Sequence, residues 1–204
     1  MPAFCVDVSM EPLSIVKYPH PALRWKSKPI VEIDQRLREV VRQMFALMYE
    51  AKGVGLAANQ VALPWRLFVI NPTGDPQEAD QEFVFLNPEI IRRKGSEEGE
   101  EGCLSLPGLY SPVRRSERVS IEAFDLEGAP FRMDLDEFTA RIVQHEFDHI
   151  EGTLFIDHIS DDQRDEIAAE LLAMEQEFRE SQKSGTLPAD DALTQKLRTL
   201  EPAG

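Results

Sequence analysis

The chain has 204 residues, enough for one domain with a sizeable buried core. Hydrophobic residues at 42% and charged residues at 29% are the proportions of a soluble globular protein, and no run of about 18 apolar residues is present to span a bilayer. A net charge of −15 argues against a protein held on nucleic acid by phosphate contacts, and much of it comes from acids crowded in residues 75–101 and after Ser160.

In chain order, Met1–Glu11 reads as a loose lead-in, Leu13–Val16 as a short strand and Tyr18–Arg24 as a turn set by its prolines. From Asp34, the residues Leu37, Val40, Val41, Met44, Phe45 and Met48 recur at spacings of three and four. That period predicts one amphipathic helix over about Gln35–Ala51, capped by Asp34 and stopped by Gly53. The next stretch, Gly53-Val54-Gly55-Leu56-Ala57-Ala58-Asn59-Gln60, is packed with small residues, which let another backbone come close. It lacks the third glycine of a dinucleotide fingerprint and follows a helix instead of a strand. Taken alone, a tight turn after the helix explains it better than a binding loop.

Arg66–Asn71 and Glu82–Asn87 read as strands around a polar loop, Pro72–Gln81. Ile90–Gly95 and Gly102–Leu106 continue in extended form until Pro107-Gly108 breaks them. Arg118–Asp125 alternates apolar and polar residues and turns through Leu126-Glu127-Gly128 into Pro130–Leu135, a hairpin. A helix is expected from near Asp136 to about Gly152, and a second amphipathic one over Ser160–Lys183, capped by Ser160 or Asp161. Ser184–Gly204 has no firm period, so residues 1–183 read as a single domain and 184–204 as a mobile tail. Strands grouped apart from helices indicate an α+β fold with mostly antiparallel sheet.

The chemistry centres on Gln144-His145-Glu146-Phe147-Asp148-His149-Ile150-Glu151-Gly152. Residues four apart share a helix face, so His145 and His149 can hold one metal ion while Glu146 reaches a water on it. The third ligand decides the meaning of this motif. The protease continuation to a third histidine fails, because Phe155 stands where that histidine is required. Glu166 or Glu170 downstream would make an endopeptidase, whereas Cys103 upstream offers a thiolate, a better ligand, and leaves an open fourth position. A metal used only as a structural brace would need four protein ligands and would leave Glu146 without a purpose. With no apolar leader after Met1, Cys5 and Cys103 are expected as reduced thiols in a bacterial-type cytoplasm, Cys5 as core filler. Asp148 is a candidate to orient a ligand histidine or a residue of a solvated face, Glu101 and Arg114 are a candidate structural pair, and His20 and His158 read as surface or turn residues.

Gly53–Gln60, Glu101–Ser105 and Gln144–Gly152, in that order, resemble the three signature motifs of the peptide deformylases, and Tyr18–Arg24 resembles that family's N-terminal turn. The resemblance runs from about Leu13 to Ile159. It implies removal of the formyl group from the formyl-methionine of newly made polypeptides, so the expected partners are N-formyl-methionyl nascent peptides. It also implies an α+β fold in which antiparallel sheets surround a central metal-binding helix, with an N-terminal and a C-terminal helix outside. One divalent ion would sit on Cys103, His145 and His149: iron(II) is the working ion in many members, and zinc, nickel or cobalt also suit the ligands. Glu146 would take a proton from the attacking water and pass it to the leaving amine, with the Gln60 amide and the Leu104 backbone N–H meeting the oxyanion. Gly53, Gly55 and Gly102 would let the substrate lie extended against backbone, and Val54, Ile142 and the His145 ring would line the methionine pocket. Two features depart from the family pattern. Ile150 stands where leucine is more usual, and Asp161–Gly204 carries 11 acidic and 5 basic residues, which speaks against docking of this end on ribosomal RNA.

Overall fold

The computed structural model describes residues 12–202; the lead-in Met1–Glu11, with Cys5, lies outside the described residues. Helix α1 spans Gln35–Glu50, and the Asp34 carboxylate accepts a hydrogen bond from the Leu37 N–H at 2.7 Å. Leu37, Val40, Val41, Met44 and Met48 are buried along one face, as the period of 3.6 requires. Five strands follow into one antiparallel sheet: β1 (Gly55–Ala57), β2 (Leu67–Ile70), β3 (Phe83–Lys94), and, after an excursion, β6 (Arg118–Phe124) and β7 (Pro130–Asp136), in the spatial order β1-β2-β3-β6-β7. The excursion is a separate two-stranded sheet of β4 (Glu97–Cys103) and β5 (Leu106–Arg115). Helix α2, Glu137–Ile150, enters directly from β7.

The sheet is covered on both sides. Leu67 and Val69 point to the cluster around α1, and Phe68 and Ile70 to the cluster around α2, so β2 is buried at every position. Phe68 and Phe85 stack at 4.7 Å on the α2 side and are fully buried, each worth roughly 1.5–3 kcal/mol of transfer free energy. A third cluster joins Leu106, Leu109 and Val113 of β5 to Leu154, Phe155 and Ile156 beyond α2. Helix α2 therefore runs between the large sheet and the β4–β5 hairpin. The α+β architecture with a central helix is as the sequence implied.

Several elements differ from expectation. Leu13–Val16 is extended but joins no sheet; Val16 N–H donates to Gln60 O and Tyr18 N–H to Ser105 O, so this segment ties two parts of the site together. The runs Glu82–Asn87 and Ile90–Gly95 are one strand, β3, with register shifts against β6 between Leu86 and Arg92. Strand β5 passes through Pro107-Gly108, because β5 pairs only with β4 and an edge proline needs no partner for its missing N–H. The helix expected over Ser160–Lys183 is broken at Ile167 into α3 (Asp161–Glu166) and α4 (Ala168–Lys183). No glycine or proline causes that break; Ile167 itself turns into the third cluster. In place of a structureless tail, α5 spans Asp190–Leu200, buries Leu193 and Leu197, and packs on the 3₁₀ turn Pro21–Arg24. Two indoles fasten its end: Trp65 donates to Leu200 O at 2.7 Å and Trp25 to a Glu201 carboxylate oxygen at 3.0 Å.

Candidate metal centre

Two elements bring the chemistry together. The α2 spacing places His145 and His149 one turn apart on the helix face toward the hairpin, with ring centroids 4.9 Å apart. The last residue of β4 supplies Cys103, whose Sγ lies 3.3 Å from His149 Nε2. One ligand atom from each of Cys103, His145 and His149 falls within 4.8 Å of the others, and this is the one such group among the described residues that could hold a metal. Glu166 and Glu170, the alternative third ligands, are exposed on α3 and α4. The donor set fits a divalent ion on local grounds. Tetrahedral bonds of about 2.3 Å to sulfur and 2.0–2.1 Å to nitrogen place S and N about 3.6 Å apart, close to the separation seen. Burial pushes His149 well below its ordinary pKa, with His145 adding to the effect, so it is a neutral, ligand-ready imidazole.

His145 is aimed by Glu101. Its Nδ1 lies 3.0 Å from Glu101 Oε2, which leaves Nε2 for the centre. Burial alone would disfavour charge on His145, but the neighbouring Cys103 and Glu101 outweigh it and push its pKa well up. Glu101 is held by Arg115 through Nε at 2.8 Å and Nη2 at 2.9 Å, and by Arg141 Nη1 at 2.8 Å. Burial would raise the Glu101 carboxyl, but the hydrogen bonds from Arg115 and His145 outweigh it and hold it well below the usual range. The partner of Glu101 is thus Arg115, whereas Arg114 points outward to Glu98. Asp148 belongs to neither of its expected settings: it bonds Arg115 and, at 2.7 Å, His158 Nε2. His20 is 7% exposed and caps the Pro21–Arg24 turn by accepting from Ala22 N–H, so of its two expected settings it takes the turn and not the surface.

Glu146 is buried beside the trio, and its Oε2 has no hydrogen-bond partner among the described protein atoms. Burial pushes its carboxyl up to about 7, the range of a group poised to exchange protons near neutrality. Gln60 is 1% exposed, and its Oε1 accepts from Ala57 N–H at 2.9 Å. Since that N–H can only donate, the amide orientation is fixed and Nε2 faces Cys103 Sγ at 3.4 Å and Ser105 Oγ at 3.3 Å.

These groups open on a cleft of about 480 Å³. Gly53, Val54, Gly55, Gln60, Gly102, Cys103, Leu104, Ile142, His145 and Glu146 line it; His149 stands behind. The glycines owe their identity partly to neighbours within the chain. A Cβ on Gly55 would meet Glu146 Oε1 at 2.5 Å, one on Gly102 the Tyr110 ring at 2.5 Å, and one on Gly53 a Leu104 methyl at 2.8 Å. Arg115, Arg141, Tyr110 and Phe138 were not found from the sequence. For Arg115 a signal existed, since it shares strand parity with Leu109 and Val113, the buried face of β5.

An α+β fold holding a cysteine sulfur, two imidazoles and a buried glutamate at the floor of an open cleft defines a metal-dependent hydrolase. The family model for polypeptide deformylase matches residues 12–165, and the chain belongs to that family. A peptide deformylase of Rhodopirellula baltica is 45% identical over 190 residues, 93% of this chain and 94% of its own. The chloroplastic/mitochondrial peptide deformylase 1B of Arabidopsis thaliana is 45% identical over 206 residues, covering 99% of this chain and 73% of its own. Among solved structures, a plant peptide deformylase is similar with a TM-score of 0.82 at 43% identity, over 90% of this chain and 98% of that one. The Plasmodium falciparum peptide deformylase is similar at 0.80 and 38%, over 82% and 98%. Among the described residues no helix is long and apolar enough to cross a membrane.

Proposed function

We propose that the cleft removes the N-formyl group from formyl-methionyl ends of nascent polypeptides, with Cys103, His145 and His149 as ligands of one divalent ion. The observation that carries this reading is the buried Glu146 carboxyl, whose Oε2 has no hydrogen-bond partner among the described residues, beside the three converging ligand atoms. When bound, such an ion supplies a Lewis acid that polarises the formyl carbonyl and acidifies a water. Iron(II) is the proposed working ion, and zinc, nickel or cobalt suit the same ligands.

The chain's own residues do the rest. Glu146 accepts the proton of the attacking water as its oxygen adds to the formyl carbon. As the C–N bond breaks, the same carboxyl hands that proton to the departing amine, leaving formate and a free amino terminus. Gln60 Nε2, held in place by the Ala57 bond, and the Leu104 backbone N–H donate to the oxyanion. The cleft lies between two sheet edges, since β1 ends the five-stranded sheet and β4 has β5 on one side only. An extended peptide can add its backbone there, along Gly53-Val54-Gly55 and Gly102, with the methionine side chain toward Val54, Ile142 and the His145 ring. The proposed setting is the bacterial-type cytoplasm, where formylated chains are made.

The test is formate release from formyl-Met-Ala-Ser by protein purified without oxygen and loaded with iron(II), beside an unformylated internal-cleavage peptide. Formate release with the second peptide intact is expected, and cleavage of the second peptide alone would make the protein an endopeptidase. Cys103→Ala should lose the ion, whereas Glu166→Ala and Glu170→Ala should keep it.

A further inference from the structure

The α2 helix and the β4–β5 hairpin belong to different layers, yet the trio takes two ligands from one and the third from the other. Arg141, one turn before His145, joins them. Its Nη1 donates to Glu101 Oε1 at 2.8 Å, to Val113 O at 2.9 Å and to Gly99 O at 3.3 Å, and its Nη2 donates to Glu97 O at 3.2 Å. One guanidinium from α2 thus reaches backbone carbonyls on both strands of the hairpin as well as the carboxylate that aims His145. The seat is made by Gly99: a Cβ there would lie 2.9 Å from the guanidinium carbon and from Nη2, and 3.1 Å from Nε. Glycine at position 99 has no positive φ to explain it, so the space is its visible purpose. Gly99 and Glu101 are two apart on β4 and share a face, so the guanidinium lies flat on the side of the hairpin from which Glu101 turns to His145.

We infer that Arg141 is a positioning residue that fixes the strand carrying Cys103 against the helix carrying His145 and His149, so that the three ligand atoms are gathered before an ion arrives. The inference rests on the proposed metal centre. Arg141 is suited to this because a planar fork with five donors can hold several acceptors at once, which a lysine ammonium on a flexible stem cannot. Without it, Glu101 keeps Arg115, so His145 remains aimed; what loosens is the distance between Cys103 and the two imidazoles.

The test compares wild type with Arg141→Met, Arg141→Lys and Gly99→Ala. The last leaves the arginine in place and removes only its seat. Cobalt(II) affinity is measured by competition with a chelator, and the thiolate-to-cobalt absorption band is recorded on each loaded protein, with circular dichroism confirming the fold. Arg141→Met and Gly99→Ala should each bind cobalt about 10–100-fold more weakly, the range for residues that orient ligands. Both should shift the thiolate band, and Arg141→Lys should fall between them and wild type. Folded variants with wild-type affinity and an unshifted band would overturn the inference while leaving the metal centre standing. A wild-type protein that binds cobalt without a thiolate band would instead overturn the centre itself. Should Arg141→Met fail to fold, Gly99→Ala and Arg141→Lys carry the same comparison.

Discussion

Gly55 presses directly on Glu146. It lies in β1 at an ordinary backbone conformation, so alanine costs little there in φ, ψ space. The difficulty is space. The new methyl would sit 2.5 Å from Glu146 Oε1 and 2.9 Å from its Cδ and Cγ. Ordinary contact begins near 3.4 Å, so the carboxylate of a residue anchored in α2 must retreat by about 1 Å, and a displacement of that size from the productive position costs on the order of 10²-fold in rate. Gly55→Ala should therefore lower kcat/KM for a formylated tripeptide about 10²-fold, or about 2.7 kcal/mol, with metal content and thermal midpoint close to wild type. The assay is formate release on iron-loaded variant and wild type, with bound metal quantified in the same samples. Activity within a few fold of wild type would refute the placement of Glu146 as the proton carrier pressed against β1. Loss of metal instead of rate would mean that Gly55 supports the ligands.

Other outcomes are expected together. Gln60→Ala should cost roughly 2.7–4 kcal/mol of transition-state stabilisation, seen in kcat, and a change in KM alone would make it a binding residue. Burial lowers the His20 pKa from 6.5 to about 4, so the unfolded chain binds the extra proton first and stability falls as pH drops from about 6.5 to about 4. The loss approaches about 3 kcal/mol at the low end; urea melts across that range should show it, and His20→Asn should flatten the curve unless His20 is not its source. Leu197→Ala empties a fully buried position where α5 meets the Pro21–Arg24 turn and should cost about 2 kcal/mol or more with kcat unchanged; an unaltered melt would mean that α5 adds nothing to stability.

The sequence was legible where one period dominates. The stripes of α1 and α2 and the β6–β7 hairpin fell within a residue or two of their predicted bounds, because local pattern and burial agree there. It was illegible where packing overrides local signals. Ile167 breaks a helix without any breaker residue, since its side chain is drawn into the cluster under β5. Pro107-Gly108 looked like a stop, but an edge strand tolerates both. In α5, Leu193 and Leu197 are four apart after Asp190 and Asp191, yet Gly185 and Pro188 made the region read as a tail. The convergence of Cys103, His145 and His149 was readable because these residue types are rare and their spacing is chemical. The surrounding ion pairs were not: Arg114 and Arg115 differ by one step, which sends one side chain to solvent and the other to Glu101.

The claim at the centre is that Glu146 moves the proton and does not hold the ion. Iron-loaded Glu146→Ala measured for formate release beside wild type tests it most directly. Full iron content is expected, with release slowed by about 10²–10⁴-fold. Release at the wild-type rate from that variant would contradict it.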